Sequence, residues 1–186
     1  MIVRAHPDLP GPLIVEPTIY PDQRGAFHVS WNADRYAEAG IRGPFIQDNV
    51  VRSRQGTLRG LHFQHPMAQG KLVSVIRGIV FDVVVDARIG SPTFGRSATL
   101  RLDDVSCQQF WVPRGFAHGY CVLSESADVI YKVDAPYRPE EERVIAWNDP
   151  DLAISWPVDA PTLNNRDSTA PRLRDLKDLP RYGAER

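Results

Sequence analysis

Cysteine is nearly absent: Cys107 and Cys121 are the two in 186 residues. Two cysteines give no disulfide framework, which points to a reducing cytoplasm. Long apolar runs are missing too. No stretch is long enough to span a bilayer, and the N-terminus lacks a signal-peptide core, so no membrane role is expected. Charge of one sign is not in excess. With 22 basic and 23 acidic residues the net charge is -1, so no broad basic surface is implied and nucleic acid is not an expected partner. Helical pattern is scarce as well, and the first 150 residues offer one convincing helix. It runs over residues 33–39, capped by Asn32 and ended by Gly40.

What is present is turn chemistry. The chain has 13 glycines and 16 prolines, and they fall between short apolar runs. That is the punctuation of an all-β sandwich or barrel. An apolar fraction of 42% and this length suit a single domain, residues 1–186, with a sizeable core. Strands are expected at Leu13-Ile14-Val15, residues 26–31, 72–76, 79–85, 119–123 and 129–133. Asp22-Gln23-Arg24-Gly25 reads as a turn, and Arg77-Gly78 turns the chain between two strong strands. Residues 45–51 read as an edge strand or a loop. From residue 160 the composition shifts to Pro, Asp and Arg, the mark of a surface-wrapping tail over 160–186, with one short helix near 173–176.

The chain is organised around Arg59-Gly60-Leu61-His62-Phe63-Gln64, followed by Gly70-Lys71. In an extended run, residues two apart share a face. His62 and Gln64 then point opposite to Leu61 and Phe63. An imidazole beside an arginine and a lysine suits proton abstraction from an anionic substrate. A lone histidine is more often a buried group bonded to a backbone carbonyl; the two nearby cations shift the balance towards a site. Pro113-Arg114-Gly115-Phe116-Ala117-His118-Gly119 is the second informative stretch, because glycine near His118 lets backbone or ligand approach closely. Asp82 interrupts an apolar strand, so it is exposed or paired with a cation. Tyr131 faces the same way as Val129 and Val133, a pattern more typical of core than of catalysis.

In this order, Leu-Arg-Gly-Leu-His-Phe at 58–63 and Gly-Phe-Ala-His-Gly at 115–119 are specific as a set. With 22–25, 45–49, 69–73, 81–86, 91–95, Tyr131-Lys132, 147–149 and 154–157, they cover nearly all of residues 10–172. The chain resembles the dTDP-4-dehydrorhamnose 3,5-epimerase family of cupin-fold sugar-nucleotide epimerases. The resemblance implies an all-β, cupin-type double-stranded β-helix (jelly roll) with a few short peripheral helices, a homodimer, no cofactor, and a dTDP-linked 4-keto-6-deoxy sugar as substrate. It implies His62 as base, Asp167 as its support and Tyr131 as acid. It places Arg24, Gln47, Asp48, Asn49, Arg59, Lys71, His118, Glu142 and Arg166 at substrate-contacting positions, and Tyr137 where a ring stacks on the nucleotide base. The pattern departs at two positions. Val29 stands where the family usually has glutamate, and Arg166 where it usually has lysine, which keeps the charge but changes the geometry.

The chemistry follows from the ketone. It acidifies the hydrogens on both neighbouring carbons, and removing one gives an enolate. Imidazole ordinarily titrates near neutrality, which suits His62 to take the proton. Asp167 can fix its tautomer, Lys71 can stabilise the oxyanion, and Arg24 and Arg59 can bind diphosphate in bidentate fashion. Three other readings stand beside epimerisation at both carbons. One is an epimerase acting at a single carbon or on another nucleotide-linked keto sugar. Another is a metal-dependent cupin, which usually needs two histidines spaced one apart; here the second position is Gln64, and His62 with His118 is too small a set. The third is a non-catalytic sugar-binding cupin, which has no need of His62, Asp167 and Tyr131 together.

Overall fold

The computed structural model describes residues 1–184. The strands are β1 (Ile2–Ala5), β2 (Leu13–Glu16), β3 (Ile19–Asp22), β4 (Gly25–His28), β5 (Gln47–Arg54), β6 (Leu58–Gln64), β7 (Lys71–Arg77), β8 (Ile79–Asp86), β9 (Ser97–Asp103), β10 (Gln109–Val112), β11 (Phe116–Val122), β12 (Ser126–Val133) and β13 (Glu142–Val144). Two short α-helices accompany them, α1 (Ala33–Glu38) and α2 (Asn165–Ser168). The strands build a six-stranded sheet in the order β1-β2-β10-β7-β12-β5 and a five-stranded sheet in the order β13-β6-β11-β8-β9. All their ladders are antiparallel. Two antiparallel sheets packed face to face, with the chain switching between them, make the jelly roll.

Period-2 alternation decides what each strand buries. Val73 and Val75 of β7, Phe110 and Val112 of β10, and Val129 of β12 point inward from the first sheet. They meet Val80 and Val84 of β8 and Phe116, Tyr120 and Val122 of β11 from the second. Intervening residues face out. Leu72 and Trp111 do so under α1, where they pack with Tyr36 and Ile41. Asn32 caps that helix as expected, its side chain accepting from the Arg35 N–H at 3.1 Å.

On the far side of the five-stranded sheet, Leu61, Phe63, Val83 and Val85 form a separate layer, covered by Leu173 and Leu179 from the C-terminal segment. Full burial of such a side chain contributes about 1.5–3 kcal/mol, which holds the segment around Leu173 and Leu179 against the sheet; residues 185 and 186 of the expected tail lie outside the described residues. The expected helix near 173–176 is a single 3-10 turn, Leu173–Asp175. Helix α2 has no sequence signature, since four residues carry no periodic signal.

Residues 72–76 and 79–85 are strands, joined at Arg77-Gly78 as expected, and they lie in different sheets. Gly78, at φ +84°, carries the chain from one sheet to the other. The expected strand Leu13-Ile14-Val15 is β2, paired on both sides, by β1 and β10. A local apolar run cannot reveal which strands will flank it. Among the described residues no helix is long and apolar enough to cross a membrane.

Candidate active site

β5 is one edge of the first sheet, and β13, followed by β6, is one edge of the second. A cavity of about 350 Å³ opens there. The β6 strand sets one wall. Its Leu61 and Phe63 go into the outer core, so His62 between them turns towards the cavity. Arg59 lines the same cavity although it lies three residues away, an odd spacing that a regular strand would send to opposite faces. The ladder between β6 and β11 slips between His118 and Tyr120. At that point Gly60 takes φ +120°. A local irregularity of this kind re-aims a side chain. It requires close contact: a Cβ on Gly60 would sit 2.5 Å from the Gly119 Cα, and one on Gly119 would sit 2.6 Å from the Arg59 carbonyl oxygen. The approach that the glycine beside His118 foretold is therefore that of the neighbouring strand.

His62 is held from behind. Its Nε2 lies 2.7 Å from Asp167 Oδ1, and Asp167 Oδ2 accepts from the Gly60 N–H at 3.2 Å. Asp167 is 1% exposed. Burial works to raise its pKa, but hydrogen bonding from His62, the charges of His62 and Arg166 and the Gly60 amide outweigh that and hold it below the ordinary carboxylate value. An ionised carboxylate can only accept, so Nε2 carries the hydrogen and Nδ1 offers its lone pair. Asn164, capping α2, accepts from the Asp167 N–H at 2.7 Å and fixes that carboxylate in turn.

Tyr131 stands on the opposite sheet, in β12, beside Asn49 and Val73. Its hydroxyl is kept protonated, its pKa raised by burial and then by the negative charge of Glu142. Lys71 is half-buried and donates to the His62 carbonyl at 3.3 Å. Burial pulls its pKa down to about 8, against Glu142 and Asp82, which favour the charged form. At the mouth, Glu142 Oε2 accepts from the Tyr137 hydroxyl at 2.7 Å and pairs with Arg166 at 2.5 Å. The Tyr137 ring itself is exposed.

His118 is buried at the floor, with Nε2 2.9 Å from both oxygens of Asp82. That answers the question about Asp82: it faces inward between Val80 and Val84 and is paired. Its desolvation raises its pKa even so, against the pull of His118 and Lys71. Gln64 is a bracket, donating to the Met67 and Pro136 carbonyls and accepting from the Arg138 N–H. Among the described residues no group of three or more His, Cys, Asp or Glu is placed to hold a metal ion.

Most of the expected residues converge. His62, Lys71, Tyr131, Arg59 and His118 line the cavity, as do Gln47, Asn49, Tyr137, Glu142 and Arg166, with Asp167 directly behind His62. Two do not. Asp48 points to the opposite face of β5 from Gln47 and Asn49 and pairs there with Lys132 at 2.8 Å; strand alternation excludes it from the cavity its neighbours line. Arg24 lies in the turn between β3 and β4, its side chain 90% exposed and paired with Asp22. That hairpin forms its own two-stranded sheet, away from the cavity. Sequence reasoning passed over Tyr120, Gln69 and Asn164, which also line the site. Tyr120 could have been found, since it follows His118 by two residues in one strand. Asn164 belongs to the tail and carried no such signal.

Residues 6–175 match the family model described as dTDP-4-dehydrorhamnose 3,5-epimerase. A curated relative of that name from Pseudomonas aeruginosa is 47% identical over 174 residues, spanning 92% of this chain and 96% of its own. Among solved structures, the dTDP-6-deoxy-D-glucose-3,5-epimerase of Legionella pneumophila, in complex with dTDP-4-keto-L-rhamnose, superposes with a TM-score of 0.92. It is 48% identical and covers 97% of this chain and 99% of that one. A 3'-monoepimerase from Streptomyces bikiniensis, in complex with dTDP-quinovose, gives 0.89 at 37% identity, over 94% and 91% of the two chains.

Proposed function

The chain belongs to the dTDP-4-dehydrorhamnose 3,5-epimerase family, and we propose that it epimerises dTDP-4-dehydro-6-deoxy-D-glucose at carbons 3 and 5 to dTDP-4-dehydro-L-rhamnose. The observation that carries this reading is the placement of His62 and Tyr131 on facing sheets across one cavity. Inversion needs a proton taken from one face of a carbon and another delivered to the opposite face. A base and a protonated acid on opposite walls supply both.

His62 Nδ1 takes the proton next to the ketone, and Asp167 holds the resulting imidazolium. The Lys71 ammonium stabilises the enolate oxygen. Tyr131 protonates the other face. Arg59 holds the diphosphate, and the exposed Tyr137 ring receives the nucleotide base, with Gln47, Asn49, His118, Glu142 and Arg166 completing the contacts. No metal and no organic cofactor is required by these steps. The enzyme works as one domain and as a homodimer in the cytoplasm. Arg24 is the second diphosphate contact in this reading; because its hairpin does not line the cavity of its own chain, that contact requires the other subunit of the homodimer.

Incubation with dTDP-4-keto-6-deoxyglucose in deuterated water tests the reading. Label is expected at both carbons together with the inverted product. Label and inversion at one carbon alone would favour a single-carbon epimerase, an alternative that the similarity to the monoepimerase and the presence of Val29 keep in view. Absence of label at both carbons rules out proton-transfer epimerisation of this substrate.

A further inference from the structure

Tyr120 is 3% exposed, yet it lines the cavity. Its hydroxyl is, among the described residues, the one buried side-chain polar atom without a hydrogen-bond partner. An unpaired buried hydroxyl is costly, and native structures carry few. Such a group facing a binding cavity is satisfied when its ligand arrives.

The surroundings indicate which ligand atom that is. Tyr120 lies opposite Arg59 in the β6–β11 ladder. Burial acts most strongly on its hydroxyl, with Arg59 and the nearby Ser53 side chain acting against it; Ser53 lies close to the phenol but makes no contact of hydrogen-bond geometry with it. The Ser53 oxygen is engaged, accepting from Arg59 Nε at 3.1 Å. The terminal nitrogens of Arg59 have no partner among the described residues, whereas Arg166, the other arginine of the cavity, is paired with Glu142. Unspent guanidinium N–H groups and an unspent phenol therefore line the same cavity from neighbouring strands. Burial pushes the phenol up to about 12, so it stays protonated and can donate. Neutral donor beside cation is the pairing that suits an anionic phosphoryl oxygen.

We propose that the Tyr120 hydroxyl is a ligand-binding group that donates to a diphosphate oxygen of the nucleotide sugar held by Arg59. This depends on the ligand being a nucleoside diphosphate sugar, as proposed above. The same hydroxyl does nothing for the free protein, so its removal separates binding from folding.

The test is calorimetric titration of the wild type and Tyr120→Phe with dTDP and with thymidine, which has no phosphate, together with thermal melts of both free proteins. Tyr120→Phe is expected to bind dTDP about tenfold more weakly, the scale of one hydrogen bond to a charged acceptor. Thymidine affinity should be unchanged, and the free variant should melt at or above the wild-type temperature. In an Arg59→Ala background the loss should shrink, because the shared phosphoryl oxygen is no longer held in place. Wild type that fails to bind dTDP would overturn the ligand class itself. Wild type that binds it while Tyr120→Phe binds equally well would overturn only the role of Tyr120. So would an equal loss for thymidine, or a free variant that melts several degrees lower, which would mark the hydroxyl as structural.

Discussion

His62 Nε2 and Asp167 Oδ1 lie 2.7 Å apart, although 105 residues separate them in the chain. One comes from a central stretch of β6 and the other from a four-residue helix in the tail. The tail stays in place because Leu173 and Leu179 cover the outer face of the same sheet whose inner face carries His62. Packing on one side of β6 thus sets the base on the other.

Asp167→Asn keeps the shape of this pair but lets the partner donate as well as accept, so the wrong imidazole tautomer becomes available. Both deuterium exchange and inversion should slow by about two to four orders of magnitude. Leu173→Ala, which touches no substrate, should loosen the tail and slow both more mildly. Measured exchange at the wild-type rate in Asp167→Asn would remove Asp167 from the base.

Tyr131→Phe should divide the two halves of the reaction. His62 still takes the proton and returns it, or a solvent deuteron, to the same face. Exchange persists while inversion falls by about two to four orders of magnitude. His62→Ala should abolish both. Wild-type inversion in Tyr131→Phe would show that the acid is another group.

Lys71 gives the pH dependence. It is charged below its pKa of about 8 and neutral above it, so its help to the enolate is present at neutral pH and disappears as pH rises through about 8. kcat/KM, which reports the free enzyme, should fall about tenfold per pH unit beyond that point. Tyr131 is not the source of such a limb, because its pKa lies above the ordinary value of 10.0. Lys71→Arg should carry the limb to much higher pH, since guanidinium stays charged. A limb that does not move in Lys71→Arg refutes the assignment.

Gly119→Ala tests the tight seam beneath the site. The added Cβ meets the Arg59 carbonyl oxygen at 2.6 Å, a backbone atom that cannot swing away. Forcing the strands apart should cost about 1–3 kcal/mol, the usual scale of overpacking, and should lower kcat, because His62 and His118 face each other across the same ladder. A variant with unchanged melting temperature and activity would mean that the seam is looser than described.

Arg24 tests the assembly. Arg24→Ala and His62→Ala should each be defective alone. If Arg24 acts across a homodimer, mixing them through refolding restores one intact site in each mixed dimer, about a quarter of all sites. No recovery, or a sedimentation mass near 20.9 kDa, would dismiss the arrangement.

Much of this was present in one dimension. The Gly/Pro spacing and the period-2 runs determined an antiparallel β protein. Alternation alone put His62 on the face opposite Leu61 and Phe63, and Asn32 with Gly40 bounded α1. These features are local, set by backbone geometry within a few residues. What the tertiary structure decided is everything that depends on which strands meet. Arg59 joins His62 in one cavity through the slipped ladder at Gly60 and Gly119. Asp48 is turned away to Lys132 while Gln47 and Asn49 stay. Asp82 finds His118. Tyr131, which reads as core from its neighbours, becomes the wall opposite the base because β12 and β6 fall in different sheets. Pairing across long loops is fixed by burial of both faces at once, a global condition that no window of sequence contains.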